Sequence, residues 1–179
     1  MRLVVIMRVI SGRYRGKKLR GFDIDGTRPT MDRVKESLFG MIQGYVSDSV
    51  VLDLFAGSGA LGIEAISMGA RKCIFIDNNI RCINTINYNV SNFDEDIQVI
   101  NCDYKKFLKN TDLKFDIIFL DPPYRANVLN KCIKIIEERG LLNDGGIVVC
   151  EYENVHLETN LKTIKEKSYG FKIISVLSL

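Results

Sequence analysis

Apolar and polar positions change rhythm near residue 50. Before it, residues 4–10 and 17–21 form two short runs around Ser11-Gly12-Arg13-Tyr14-Arg15-Gly16, which predicts a small β-hairpin with a basic, glycine-bearing loop. Val34, Leu38, Met41, Ile42 and Tyr45 recur at helical spacing, predicting an amphipathic helix over 31–46. Thr30 is its expected N-cap, with Asp32 in the first turn, where the helix dipole favours an acid. From Val50 on, short apolar runs alternate with helical stretches. Strands are expected at 50–54, 72–76, 97–101, 115–120 and 146–151, and helices at 60–68, 79–91, 104–109 and 127–138. Ile117-Ile118-Phe119-Leu120 is apolar without a break, as in a strand covered on both faces. Residues 161–168 and 171–178 flank Tyr169-Gly170 as a closing antiparallel pair. The expected fold is α/β: a seven-stranded, mostly parallel sheet with helices on both faces. A basic hairpin extension over 1–30 precedes a main domain over 31–179.

Composition narrows the class. The chain is 46% hydrophobic and 26% charged, enough to bury a core. No segment reads as a bilayer span, and the apolar run before Arg8 is too short for a signal-peptide core, so the expected location is cytoplasmic. The five cysteines, Cys73, Cys82, Cys102, Cys132 and Cys150, are widely spaced without a CxxC pair and read as idle thiols, with no metal expected. The net charge of +3 is unevenly placed. Residues 1–40 hold ten Lys or Arg against four Asp or Glu; the remainder holds fifteen against eighteen. That asymmetry fits a polyanion met from one end, and equally a solvated surface.

Two turns carry candidate chemistry. Gly57, Gly59 and Gly62 make a GxGxxG pattern between a strand and a helix, where the backbone must turn tightly and approach a ligand. Asp77 follows Gly57 by twenty residues at the end of the next expected strand, placed to accept from ribose hydroxyls. Nicotinamide and flavin enzymes share this pattern. Asp53, however, stands four residues before Gly57; a diphosphate would repel that carboxylate, and the ammonium of a methionine moiety would pair with it. Asp103, just past the third strand, suits an adenine amino group and equally a helix cap.

Asp121-Pro122-Pro123-Tyr124 is the most specific feature. Two prolines stiffen the turn, so the Asp121 carboxylate and the Pro122 carbonyl can converge as acceptors on the two hydrogens of an NH₂ group. Held so, an exocyclic amine is biased toward tetrahedral geometry and its lone pair is freed. Tyr124 offers a face for stacking a base, and Phe55 or Tyr124 an aromatic face for a sulfonium.

These turns resemble those of class I methyltransferases acting on amino nitrogens, with a Rossmann-like sheet. Residues 7–19, Arg28-Pro29-Thr30 with Arg33-Val34-Lys35-Glu36-Ser37-Leu38-Phe39, Asp53-Leu54-Phe55-Ala56-Gly57-Ser58-Gly59, Asp121-Pro122-Pro123-Tyr124 and Lys167-Ser168-Tyr169-Gly170 together resemble the RsmD family of bacterial 16S rRNA guanine-N2 methyltransferases. The resemblance implies S-adenosylmethionine held by Asp53, Phe55, Gly57, Ser58, Gly59, Asp77, Asn78 and Asp103, and a guanine held by Asp121, Pro122, Pro123 and Tyr124. It implies 16S rRNA, in the 30S subunit or an assembly intermediate, as partner, met through Arg13, Arg15, Lys17 and Lys18; the chain itself is expected to be a monomer. Arg28 and Arg33 are assigned to RNA, with the cofactor pocket as their alternative. The family-like opening begins at Met7, so residues 1–6 read as an extension and Met7 as a candidate natural start.

His156, the only histidine, and Asp94-Glu95-Asp96 read as surface. Glu151, at a strand end, is assigned no role. Competing readings are an amino-methyltransferase acting on adenine or on a protein glutamine, a nicotinamide oxidoreductase, and a non-catalytic RNA-binding assembly factor.

Overall fold

The computed structural model describes residues 6–21, 28–123 and 128–179. A two-stranded antiparallel hairpin, β1 (Ile6–Arg8) and β2 (Lys18–Arg20), precedes helix α1 (Arg28–Val46). Then come β3 (Val50–Asp53), α2 (Ala60–Ser67), β4 (Lys72–Asp77), α3 (Ile80–Val90), β5 (Asp96–Asn101), α4 (Tyr104–Asn110), β6 (Phe115–Leu120), α5 (Val128–Arg139) and β7 (Leu142–Tyr152). The antiparallel pair β8 (Lys162–Tyr169) and β9 (Lys172–Ser178) closes the chain. The main sheet has seven strands in the order β5-β4-β3-β6-β7-β9-β8, with β3 to β7 mutually parallel. No helix among the described residues is long and apolar enough to cross a membrane.

Strand side chains alternate between faces, so each buried strand feeds two cores. Val51, Ile117 and Phe119 pack with α1, α2 and the hairpin residues Val9 and Leu19. Leu52, Ile118 and Leu120 pack with Leu108 of α4 and Leu129, Ile133 and Ile136 of α5. The unbroken apolar run of β6 is therefore a consequence of coverage on both sides.

The start of α1 differs from expectation. The helix begins at Arg28, so Thr30 lies inside it and does not cap it, and Asp32 falls beyond the first turn. Pro29 is accommodated because N–H groups of the first turn have no intrahelical partner to lose. Asp32 instead pairs with Arg8 of the hairpin at 3.4 Å.

The hairpin is fastened to α2 by buried polar groups. Glu64 is 1% exposed; it accepts from the backbone N–H groups of Ile10 and Ser11 and pairs with Lys35 of α1 at 3.0 Å. The Lys35 ammonium also donates to the Arg8 carbonyl at 2.7 Å, so both charges are hydrogen-bonded where water is excluded. Ser67 accepts from the N–H of Tyr14 through its hydroxyl and from that of Arg13 through its carbonyl. Gly12, at φ +79°, lies so close that a Cβ would stand 1.9 Å from the Ser67 oxygen.

Glu64→Ala would leave the Lys35 charge buried alone and two N–H groups without their acceptor. The expected loss is about 3–5 kcal/mol in urea unfolding. Adding Lys35→Met should recover a substantial part; a double variant no more stable than the single would show that the charge is not the cost.

Candidate functional site

Parallel strands end on a common edge, and an acid stands at or just past the end of each of the five. In the sheet order β5-β4-β3-β6-β7 the acids are Asp103, Asp77, Asp53, Asp121 and Glu151. Asp53 closes β3 and is 3% exposed. Its Oδ2 accepts from the Gly62 N–H at 3.0 Å. Burial pushes its pKa up to about 7, and the Asp77 charge adds to the effect, while the Gly62 N–H opposes it. Gly62 permits this close approach of α2 to the sheet: a Cβ would meet the Phe75 ring at 2.3 Å and the Cys73 Sγ at 2.8 Å.

Across the turn, the Gly57 N–H donates to Asp77 Oδ2 at 2.9 Å and the Asn79 N–H donates to Oδ1 at 2.8 Å. Asp77 thus ties the glycine turn to the end of β4 while each oxygen retains acceptor capacity. Gly57 has φ +55° and open space where a Cβ would be. Asn78 is exposed beside it. The Ser58 carbonyl accepts from the amide of the buried Asn89 at 2.9 Å. Asp103 caps α4, with Oδ1 accepting from the N–H groups of Lys105 and Lys106. Phe55 leans on Tyr104, with ring centroids 5.3 Å apart.

The second turn follows β6. Asp53 is in register with Phe119, and Leu120 with Cys150, so Asp121 emerges between Asp53 and Glu151. Burial holds the Asp121 carboxyl well above the usual carboxylate range; the charge of Glu151 raises it further, Lys172 opposes, and Asp53 adds a smaller push. Pro122 is buried and Pro123 exposed; Tyr124 lies outside the described residues. Glu151 is itself 9% exposed and paired with the Lys172 ammonium. Sequence reasoning gave this pair no role. Lys172 is brought in only because β9 returns antiparallel beside β7, with Glu151 opposite Ile174.

The basic hairpin loop is not at this edge. It docks on Ser67, the last residue of α2, and on Glu95, just before β5, both at the amino ends of the strands. Arg13 pairs there with Glu95 at 3.2 Å and with Asp94 at 3.8 Å. The Tyr14 hydroxyl donates to Glu95 at 2.9 Å, its ring stacks on Phe93 at 4.0 Å, and the Lys17 ammonium stands 4.2 Å from the Phe93 centroid. Asp94 and Asp96 are exposed, as expected of a solvated loop, with Asp96 paired to Lys72; the expectation is corrected at Glu95, which is half-buried and anchors the hairpin. Arg15, Lys18 and Arg33 are exposed, and Arg28 opens α1. His156 is exposed, as expected. The five cysteines are free thiols, three buried and two half-buried, and no metal-binding cluster occurs among the described residues.

A family model described as conserved hypothetical protein 95 matches residues 7–178. The chain is 36% identical over 172 residues to ribosomal RNA small subunit methyltransferase D of Haemophilus influenzae, covering 92% of this chain and 89% of that protein. It is 35% identical over 159 residues to the protein of the same name from Escherichia coli K12, covering 88% and 79%. The solved structure of yhhF from Escherichia coli superposes with a TM-score of 0.86 at 32% identity, covering 97% of each chain. A more distant likeness, of fold alone, is to the Thermus thermophilus 16S rRNA N2 G1207 methyltransferase RsmC in complex with S-adenosylmethionine and guanosine; the TM-score is 0.71 at 18% identity, covering 98% of this chain and 50% of that one.

An acid whose folded pKa is raised holds its proton more tightly folded than unfolded. Its contribution to stability is full below the ordinary value of 3.8 and is lost as pH climbs toward about 7. Asp53→Asn keeps an oxygen for the Gly62 N–H and removes that loss. The ligand-free variant should be more stable than wild type at pH 8, by on the order of 1–3 kcal/mol, and no more stable at pH 4. Urea unfolding at both values checks this, and an equal effect at both would mean that burial does not penalise the charge.

Proposed function

The chain belongs to the ribosomal RNA small subunit methyltransferase D family, and from that premise we propose that it transfers a methyl group from S-adenosylmethionine to the exocyclic N2 of a guanine in 16S rRNA. We place the reaction in the cytoplasm, on the small subunit or an assembly intermediate, with a monomeric enzyme whose residues 1–30 form an extension of its methyltransferase domain. The observation that carries this reading is the adjacency of the two turns. The buried Asp53 beside the glycine turn ends β3, and Asp121-Pro122-Pro123 leaves the neighbouring, hydrogen-bonded β6.

The residues present fit the cofactor. Among the described residues, the Gly62 N–H is the hydrogen-bond donor to the buried Asp53 carboxyl, and no cation pairs with it. A methionine ammonium supplies the missing charge. Gly57 leaves open space where a backbone must approach a ligand. Asp77 and Asn78 would meet the ribose, Asp103 the adenine, and Phe55, Ser58 and Gly59 would line the turn. Bound S-adenosylmethionine supplies a sulfonium methyl, already an electrophile, so the protein's task is in-line placement, worth on the order of 7–11 kcal/mol in well-oriented reactions.

Asp121 and the Pro122 carbonyl would take the two hydrogens of the guanine amine, with Tyr124 stacked on the base. As the N–CH₃ bond forms and the S–CH₃ bond breaks, the nitrogen becomes cationic and must release a proton. An Asp121 carboxylate whose pKa is raised by burial and by Glu151 is a competent acceptor for it.

The test incubates the protein with methyl-labelled S-adenosylmethionine and 30S particles from cells lacking this gene, then identifies the labelled nucleoside. N2-methylguanosine is expected; another methylated base would overturn the acceptor, and no label with intact cofactor binding would favour a binding role. Asp121→Ala should slow transfer about a hundredfold or more while S-adenosylmethionine still binds. Since the ammonium favours ionised Asp53, cofactor affinity should rise as pH passes upward through about 7, and titration calorimetry from pH 6 to 8 measures it; an affinity flat across that range would argue against the ammonium at Asp53.

A further inference from the structure

We propose that the substrate RNA strand flanking the target base is met by a cationic track on one face of α3 and β2: Arg81, the Arg20–Tyr88 stack and Lys18. The inference rests on the function proposed above and names where its RNA lies.

The track starts at the catalytic edge. Arg81 is exposed in the first turn of α3, directly after Asp77 and the Asn79 cap. Tyr88 is seven residues later, two turns down the same helix face, and 52% exposed. The Arg20 guanidinium lies over the Tyr88 ring, 3.3 Å from its centroid. Lys18 and Arg20 share the outer face of β2, while Leu19 between them is buried.

The geometry is fixed from beneath by Asn89. Its Oδ1 accepts from the Arg20 N–H at 2.8 Å, and its amide donates to the Arg20 carbonyl at 3.0 Å. The same amide donates to the Ser58 carbonyl in the glycine turn. A single buried side chain therefore references Arg20 to the cofactor turn. Arg20 also sits at the open end of the hairpin, opposite Ile6 and away from the loop docked on Ser67.

The chemistry is that of a nucleic-acid contact. An arginine stacked on an exposed ring keeps its N–H edge for phosphates and is held flat beforehand. No acidic residue occurs from residue 78 to residue 93, although the chain has 22 Asp and Glu; exposed Asn84 and Asn87 line the helix instead. Among the described residues no carboxylate pairs with Arg20, Arg81 or Lys18. Arg13, by contrast, is held by Glu95 and Asp94 at the other edge of the sheet.

Arg20→Gln leaves the Asn89 bonds intact, because they use the main chain. With 16S rRNA as the probe, Arg20→Gln and Arg81→Gln should each weaken binding about fivefold at low salt. Each should reduce the salt dependence of the affinity by roughly one ion, with S-adenosylmethionine affinity unchanged. Arg20→Lys, which keeps the charge without the flat stack, should recover part of the loss. An Arg20→Gln/Arg81→Gln double variant that binds like wild type at both about 50 and about 200 mM salt would overturn the proposal. So would a loss of affinity that follows lost thermal stability while the salt dependence stays the same. If the wild type fails to methylate 30S particles, the proposed function falls, and the binding measurement still decides the track.

Discussion

A parallel sheet ends all its strands on one side, and the site of this protein depends on that constraint. Five acids separated along the chain by up to nearly a hundred residues, from Asp53 to Glu151, stand on one edge because β3 to β7 run the same way. Closeness has an electrostatic consequence. Asp53 is buried and Asp121 half-buried near other carboxylates, and both are held toward the neutral form. In a ligand-free state this opposes ionisation; in the proposed reaction a bound ammonium, or an amine losing a proton, would turn the same crowding to use. The cost in folding stability is set against tight packing behind the edge, where Gly62 lets α2 lie directly on Phe75.

The hairpin gains its order from the body. Three-residue strands cannot bury enough surface to be stable by themselves. Val9 and Leu19 enter the core shared with α1 and α2, and Glu64, Ser67 and Asn89 bind its backbone. Lys35, within the segment that resembles the family's N-terminal signature, acts here in packing: its ammonium joins Glu64 to the Arg8 carbonyl. A residue type that reads as a nucleic-acid contact in sequence is thus buried in a clamp between α1, α2 and β1.

Most of the fold was legible because its signals are local and periodic. The strands at 50–54, 72–76, 97–101 and 115–120 were expected within a residue of where they lie: coverage on both faces gives the inner strands continuous apolar runs, while the edge strand β5 alternates polar with apolar residues. The seventh strand and the antiparallel tail were expected too, although β7 begins four residues earlier, at Leu142. The start of α1 was misplaced because Thr30 was read as the N-cap, whereas the first helical turn also accommodates Pro29 before it.

By itself, the sequence determined the alternation of strands and helices, the two turns at strand ends and the family to which they belong, because each is written in adjacent residues. The tertiary structure alone decided which distant charges meet. It put Lys172 against Glu151 and so beside Asp121. It carried Arg13 to the far edge and brought Arg20 to the glycine turn through Asn89. A charged side chain reads alike in sequence whether it meets solvent, a carboxylate or an aromatic ring; only the packing of the chain selects its partner.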